Sequence, residues 1–507
     1  MIDPIPILPD TRANQYLSAN VHPSGWINPE PAGRYNLVVI GGGTAGLISA
    51  AGAAGLGGKV ALIENHMMGG DCLNVGCVPS KALIRASRAF YDARNSEKFG
   101  VRGGSVTSFD FGAAMERMRS LRADISHHDS AKRFRDELGV DVFFGQGRFS
   151  GTDSVVVDGK KLHFKKAAIC TGARAVAPPI VGLAEAGYLT NETVFSLTQL
   201  PPHLAVIGAG PVGCELAQAF ARFGSRVTLI ERATRILDRE DGDAAAILRA
   251  AFEREGIELQ VGVTILGVEK HLSGKLLWLE RDGKVVEVVV DEILVGVGRA
   301  PNIEGLELEK GGISFDSSGV KVSDTLQTSN LDVYAAGDIC SHYKFTHTAD
   351  AQARILIANA LFMGRQKTSS LTIPWCTYTD PEIAHVGMYE PDAASKGIEV
   401  TTLTIPLSDI DRAVLDGELV GFARVHLRKG TDKILGATIV ASHAGEMISE
   451  FSLAITSGLG LSSIGRTIHP YPTQSEIIKR LADVYNRTRL TPFVRGLLAF
   501  WLKWQRG

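Results

Sequence analysis

Two stretches of this chain repeat one pattern at one spacing. Residues 35–40, YNLVVI, are a short apolar run of the kind a buried parallel strand shows. Gly41-Gly42-Gly43-Thr44-Ala45-Gly46 follows at once, then a small-residue segment with helical character. The next strand-like run, KVALIE, ends on Glu64, 18 residues past Gly46. The order recurs from 204 to 231. An apolar run leads into Gly208-Ala209-Gly210-Pro211-Val212-Gly213, then into CELAQAFARFG, then into a strand closed by Glu231, again 18 residues past the last glycine. In such a unit the first glycine makes the tight turn and the second lets a pyrophosphate reach the backbone. The third lets helix and strand pack, and the acid takes a ribose hydroxyl. One GxGxxG is weak. Two, each with its acid at the same offset, imply an α/β chain that binds two dinucleotides through Gly41, Gly43, Gly46 and Glu64, and through Gly208, Gly210, Gly213 and Glu231. Glu231 repels a 2′-phosphate and favours NAD, whereas Arg232 and Arg235 lean toward NADP.

Residues 69–81 read GGDCLNVGCVPSK. Cys72 and Cys77 have four residues between them, wider than the CxxC of metal and thioredoxin-type sites. Pro79 bars a regular helix through the middle of the stretch, so a helix is expected to start near Cys77 and run on through Lys81. A thiolate at a helix start is stabilised by unpaired N–H groups and the dipole. Two thiols held close, one of them stabilised as thiolate, suit reversible disulfide chemistry. Cys170, Cys214, Cys340 and Cys376 are scattered without metal-ligand spacing and read as small buried hydrophobes, and no metal site is expected.

The run 69–81 resembles the redox-disulfide signature of the flavin-dependent pyridine nucleotide–disulfide oxidoreductases, which include dihydrolipoamide dehydrogenase, glutathione reductase and mercuric reductase. Resemblance to the mercuric-reductase branch covers nearly the whole chain from Tyr35 to Arg480. It implies a glutathione-reductase-like α/β fold, with two Rossmann-like dinucleotide-binding domains and an α+β dimerisation domain. The implied divisions are an arm at 1–33, an FAD-binding domain at 34–185 and 320–372, an NAD(P)-binding domain at 186–319, a dimerisation domain at 373–486 and a tail at 487–507. The first glycine unit then holds FAD and the second NAD(P)H. Lys81 pairs with Glu215 beside the flavin, Gly147 meets the adenine, and Thr171 and Gly172 lie close to the flavin. Asp338, in TSNLDVYAAGD, takes a ribityl hydroxyl. Thr346 and His347 make contacts near the flavin, although His347 reads equally as a structural histidine. Gly298 belongs to the GRAPN turn. By position, Cys77 is the thiolate held against the flavin and Cys72 the outward interchange thiol.

The resemblance departs from other members at the far end. Glutathione reductase and dihydrolipoamide dehydrogenase carry an acid–base histidine five residues before a glutamate. Counting back from Glu476 gives Tyr471, and His469 lies two residues too early. A phenol with a pKa near ~10 is a poor proton acceptor at neutral pH. Mercuric reductase has tyrosine here, but this chain shows neither a CxxC ahead of residue 35 nor a cysteine pair in its last residues, WLKWQRG. The expected activity is transfer of electrons from NAD(P)H through Cys72–Cys77 to a metal ion or small oxidant. The alternatives are a dihydrolipoamide dehydrogenase-type disulfide reductase and a non-catalytic FAD-bound redox sensor. In the family Tyr471 and Glu476 serve the partner's active site, so a homodimer is expected.

Locally, 1–33 reads as an extended surface arm, 85–94 and 111–138 as helices with solvated charged faces around a loop near 100–108, 140–149 as a strand, and 154–168 as a hairpin turning at Asp158-Gly159. Beyond 374, strands are expected at 401–406, 421–426 and 434–440, with helices at 444–457 and 461–464. Thr491 and Pro492 look like the start of a helix whose apolar face carries Phe493, Leu497, Phe500, Trp501 and Trp504 and whose other face is basic. It is expected to dock on its own domain, with peripheral membrane contact as the alternative. At 507 residues the chain needs several domains. A formal net charge of −2 gives no case for nucleic acid. The N-terminus has no signal-peptide pattern, so the cytoplasm is the expected compartment.

Overall fold

The computed structural model describes residues 6–102 and 109–507, so most of the loop expected at 100–108 lies outside the described residues. The chain divides into two compact units, Met1–Arg235 with Glu255–Leu371, and Ile236–Arg254 with Thr372–Gly507.

The first unit holds two sheets whose parallel strands follow one plan. Arg34–Ile40 lies between Val60–Glu64 and Lys160–Ile169, with Asp141–Phe144 outside Val60–Glu64 and Val333–Ala335 on the far side of Lys160–Ile169. In the second sheet His203–Ile207 lies between Arg226–Glu231 and Glu292–Val295, with Glu258–Val261 outside. These strands are covered on both faces, which is why their sequences do not alternate. Leu37 and Val39 enter one core with Ala50, while Val38 and Ile40 enter another with Phe143 and Phe164. The crossover helices Thr44–Gly55 and Pro211–Phe223 start directly from the glycine turns. The hairpin Ser154–Val157 to Lys160–Ile169 turns at Asp158-Gly159, with φ of 50° and 72°, as a two-residue turn requires.

Four local expectations need correcting. The extended arm at 1–33 contains a helix, Arg12–Val21, with Leu17 and Val21 fully buried. Beyond it Trp26 Nε1 donates to Val142 O at 3.1 Å, and Asn28 exchanges two 2.8 Å bonds with the Phe144 backbone, so the arm satisfies an edge strand. The helix expected over 111–138 breaks into Phe111–Ile125 and Ala131–Asp136, because the Ser130 hydroxyl accepts from Arg133 N and caps a new helix. Two of its charges are not solvated: Arg119 and Arg122 are each 3% exposed. The strand expected over 140–149 is two, Asp141–Phe144 and Arg148–Gly151, parted at Gly145, whose φ is 136°.

The second unit is a five-stranded antiparallel sheet in the order Pro374–Thr377, Glu382–Gly387, Ile434–Ala441, Phe422–Arg428, Val400–Pro406. Helices Ala444–Thr456, Leu461–Gly465 and Glu476–Thr488 share its core. Ile236–Arg254 is tied into this unit by Arg424, whose Nη1 lies 3.0 Å from Asp241 Oδ2, and by Trp375 Nε1 donating to Glu240 at 2.8 Å. The tail helix Pro492–Gln505 starts where expected, with the Thr491 hydroxyl accepting from Val494 N at 3.3 Å. It buries none of its residues, which corrects the expected docking on its own domain. Among the described residues no helix is long and apolar enough to cross a membrane.

Candidate active site

The two glycine turns test whether dinucleotides fit. A Cβ on Gly46 would stand 1.8 Å from Gly41 O, and one on Gly213 1.9 Å from Gly208 O, so helix–strand packing demands these glycines. Gly41 and Gly208 turn at φ of 104° and 100°. The middle glycines differ. A Cβ on Gly43 would meet only Gly70 Cα at 3.7 Å, and one on Gly210 nothing within 4 Å. No protein atom requires glycine there, whereas a pyrophosphate drawn onto the backbone does. The acids match as well. Glu64 accepts from Gly42 N at 2.6 Å and His66 N at 2.7 Å, and Glu231 accepts from Ala209 N at 2.8 Å and Ala233 N at 2.9 Å. Burial pushes the Glu64 carboxyl up, against the pull of those N–H groups. A Cβ on Gly147 would come within 3.3 Å of Ile40 and Ile63 at the ends of the first two strands. The residues fit a dinucleotide at each turn.

The dithiol lies in the same unit. Cys72 is in the short helix Gly70–Asn74, and Cys77 is the first residue of Cys77–Arg94, where the orphan N–H groups lie. Asn74 Nδ2 holds the loop by donating to Met68 O at 3.0 Å and Gly70 O at 2.8 Å. The two thiols are hydrogen-bonded to each other, with Cys77 as acceptor. That bond, the Thr346 hydroxyl 3.5 Å from its Sγ, and the Lys81 charge lower the pKa of the exposed Cys77 to about 6. The Cys72 thiol is pushed up by the same bond and by burial. Lys81 Nζ stands 2.6 Å from Glu215 Oε2, a carboxylate 6% exposed on Pro211–Phe223.

Sequence reasoning missed the residues that fasten this loop. Arg299, next to Gly298 in GRAPN, pairs with Asp71 and donates to Ala173 O, and its Nε lies 3.5 Å from Asp338 Oδ2. Burial pushes the Asp338 carboxyl up, and Arg299 and Lys344 pull it down. Asn302 donates to Thr171 O at 2.8 Å and accepts at its own carbonyl from Thr171 Oγ1 at 2.9 Å, which fixes the turn ahead of Gly172. Both belong to the GRAPN run, of which only Gly298 was singled out. Gly298 itself has φ of 147°. Arg122 spans Asn74 O at 2.6 Å and Asn14 Oδ1 at 2.7 Å, and nothing local in the sequence signals it.

Tyr471 and Glu476 belong to the second unit. Tyr471 is 71% exposed and donates to Asp411 Oδ2 at 3.0 Å, which raises its pKa. Glu476 accepts from Arg480 Nε at 3.0 Å. His469 is held elsewhere: its Nε2 lies 3.0 Å from Glu450 and its side chain is 7% exposed.

Residues 35–353 match the family described as pyridine nucleotide-disulphide oxidoreductase, and residues 373–482 match that family's dimerisation domain, which supports a homodimer. A mercuric reductase from Bacillus cereus is 34% identical over 89% of this chain and 72% of its own. A dihydrolipoyl dehydrogenase from Thermus scotoductus is 35% identical over 89% of this chain and 98% of its own. The solved Cu(II) complex of the HOCl-induced flavoprotein disulfide reductase RclA from Escherichia coli has a TM-score of 0.80 and 28% identity, covering 89% of this chain and all of that one. Two glycine turns, a dithiol loop and a dimerisation sheet in this order place the chain in the class I pyridine nucleotide-disulfide oxidoreductases, enzymes that use FAD with NAD(P)H as donor.

Proposed function

We propose that this flavoprotein disulfide reductase passes electrons from NAD(P)H through Cys72–Cys77 to a metal ion or another small oxidant. FAD bound in the first glycine unit supplies the relay between the nicotinamide and the sulfur pair. Cys77, at the helix start beside Thr346 and Lys81, holds the thiolate, and Cys72 meets the acceptor. Glu215 keeps Lys81 in place. The observation that carries the choice of acceptor is Tyr471, where a histidine would serve a disulfide substrate. Splitting a substrate disulfide needs a proton for the leaving thiolate, which a group titrating near neutrality delivers. Tyr471, with its pKa raised by Asp411, does not release one readily. His469 is engaged by Glu450, which speaks against its standing in. Soft cations are taken by thiolates without that proton. The Bacillus cereus mercuric reductase and the Cu(II) complex of RclA are in keeping with such an acceptor.

Wild type, Tyr471→Phe and Tyr471→His, assayed with lipoamide, glutathione disulfide, Hg(II) and Cu(II), test this. Wild type should be poor with both disulfides, and Tyr471→His should gain on them while losing on the metals. The dehydrogenase alternative has a relative of equal identity behind it. High wild-type lipoamide turnover that collapses in His469→Ala would establish that alternative instead.

A further inference from the structure

We infer that the helix Pro492–Gln505 is an in-plane anchor that holds the enzyme on an anionic phospholipid surface. Apart from Gln505, its side chains separate into an apolar and a basic face. At 100° per residue the apolar arc spans about 200° and includes Phe493, Leu497, Phe500, Trp501 and Trp504. The rest of the circumference carries Arg495, Lys503 and Arg506 with small residues between them. From 489 to 507 there are four basic residues and no acidic one. None of the four makes an ion pair among the described residues. Phe493, Phe500 and Trp504 are 79%, 70% and 66% exposed, and the helix buries nothing.

Such a face needs a cover, and the charges choose it. A seam against a second copy is usually a narrow apolar stripe flanked by charges of both signs. Here the apolar face exceeds half the helix and its flanks carry one sign only, the pattern of a helix lying in a headgroup layer. The match to the dimerisation domain ends at 482, before this helix begins. Trp501 and Trp504, with rings 5.1 Å apart, are the side chains that settle at a lipid–water boundary. Fourteen residues reach about 21 Å, short of the ~30 Å hydrocarbon core, so the helix lies on the bilayer and does not span it.

The test uses the full-length FAD-loaded protein in flotation with vesicles of phosphatidylcholine alone or with roughly a third phosphatidylglycerol. Wild type should float with the anionic vesicles and show a blue shift of tryptophan emission, and neutral vesicles should bind it far less. Each of Arg495→Gln, Lys503→Gln and Arg506→Gln should weaken binding about fivefold, and added salt should act in the same direction. Phe500→Glu with Trp504→Glu should abolish flotation while sedimentation still shows the dimer and NADH turnover is kept. Failure of wild type to bind anionic vesicles overturns the inference. So does dissociation of the double variant to monomer, which would name a second copy as the cover.

Discussion

Cys77 draws its low pKa from three neighbours that the fold supplies separately: Cys72 from the preceding loop, Thr346 from the start of a distant helix, and Lys81 one turn on. A lowered pKa means that the thiolate is present above about 6 and is lost as the pH falls through that value. Anaerobic reduction should therefore give a long-wavelength absorbance band from a thiolate against the flavin, kept in Cys72→Ser and lost in Cys77→Ser. The band should fade below about pH 6, and Lys81→Met should move its midpoint upward because a favourable charge is gone. A band that survives without Cys77 would reverse the roles of the two thiols. The dithiol was legible because both cysteines stand in one contiguous run, whereas their separate roles came from the resemblance. The neighbours were less so: Thr346 is 269 positions from Cys77, and only a resemblance brought it to the site.

At the scale of elements, the second strand–turn–helix separates folding from binding. Gly213→Ala would drive a methyl toward Gly208 O, a contact of 1.9 Å that forces the helix off its strand. Overpacking of this kind costs about 1–3 kcal/mol, so a clear drop in Tm is expected. Gly210→Ala has open space around its new methyl, so stability should hold while KM for NADH rises about tenfold, equivalent to ~1.4 kcal/mol. If Gly210→Ala binds NADH normally, the pyrophosphate does not approach there. At the end of the following strand, Glu231 accepts from Ala209 N in the turn and from Ala233 N just past the strand, which holds its carboxylate beside the turn. NADH should therefore exceed NADPH in kcat/KM, and a preference for NADPH would mean that Arg232 and Arg235 outweigh the carboxylate.

For the whole molecule, Leu453 and Ile468 of the second unit are 65% and 93% exposed in the single chain, in the domain whose family match is to dimerisation. Activity should fall on dilution together with the dimer in analytical sedimentation, and a fully active monomer would refute that link. The sequence by itself determined the two dinucleotide units, the dithiol loop and most of the strands that carry them. Each is written within about 30 neighbouring residues, where turn sterics, helix starts and apolar runs act locally. Only the tertiary structure decided that Arg119 and Arg122 are buried, that Arg299 locks Asp71, and that the arm carries a helix beneath the dithiol loop. Burial of a charge depends on who supplies its partners. The partners of Arg122 and Arg299 come from 39 to 228 positions away, a distance over which local pattern carries no information. The tail shows the reverse case. Its two faces are fully legible in the sequence, yet only the fold reveals that the chain leaves the apolar one uncovered.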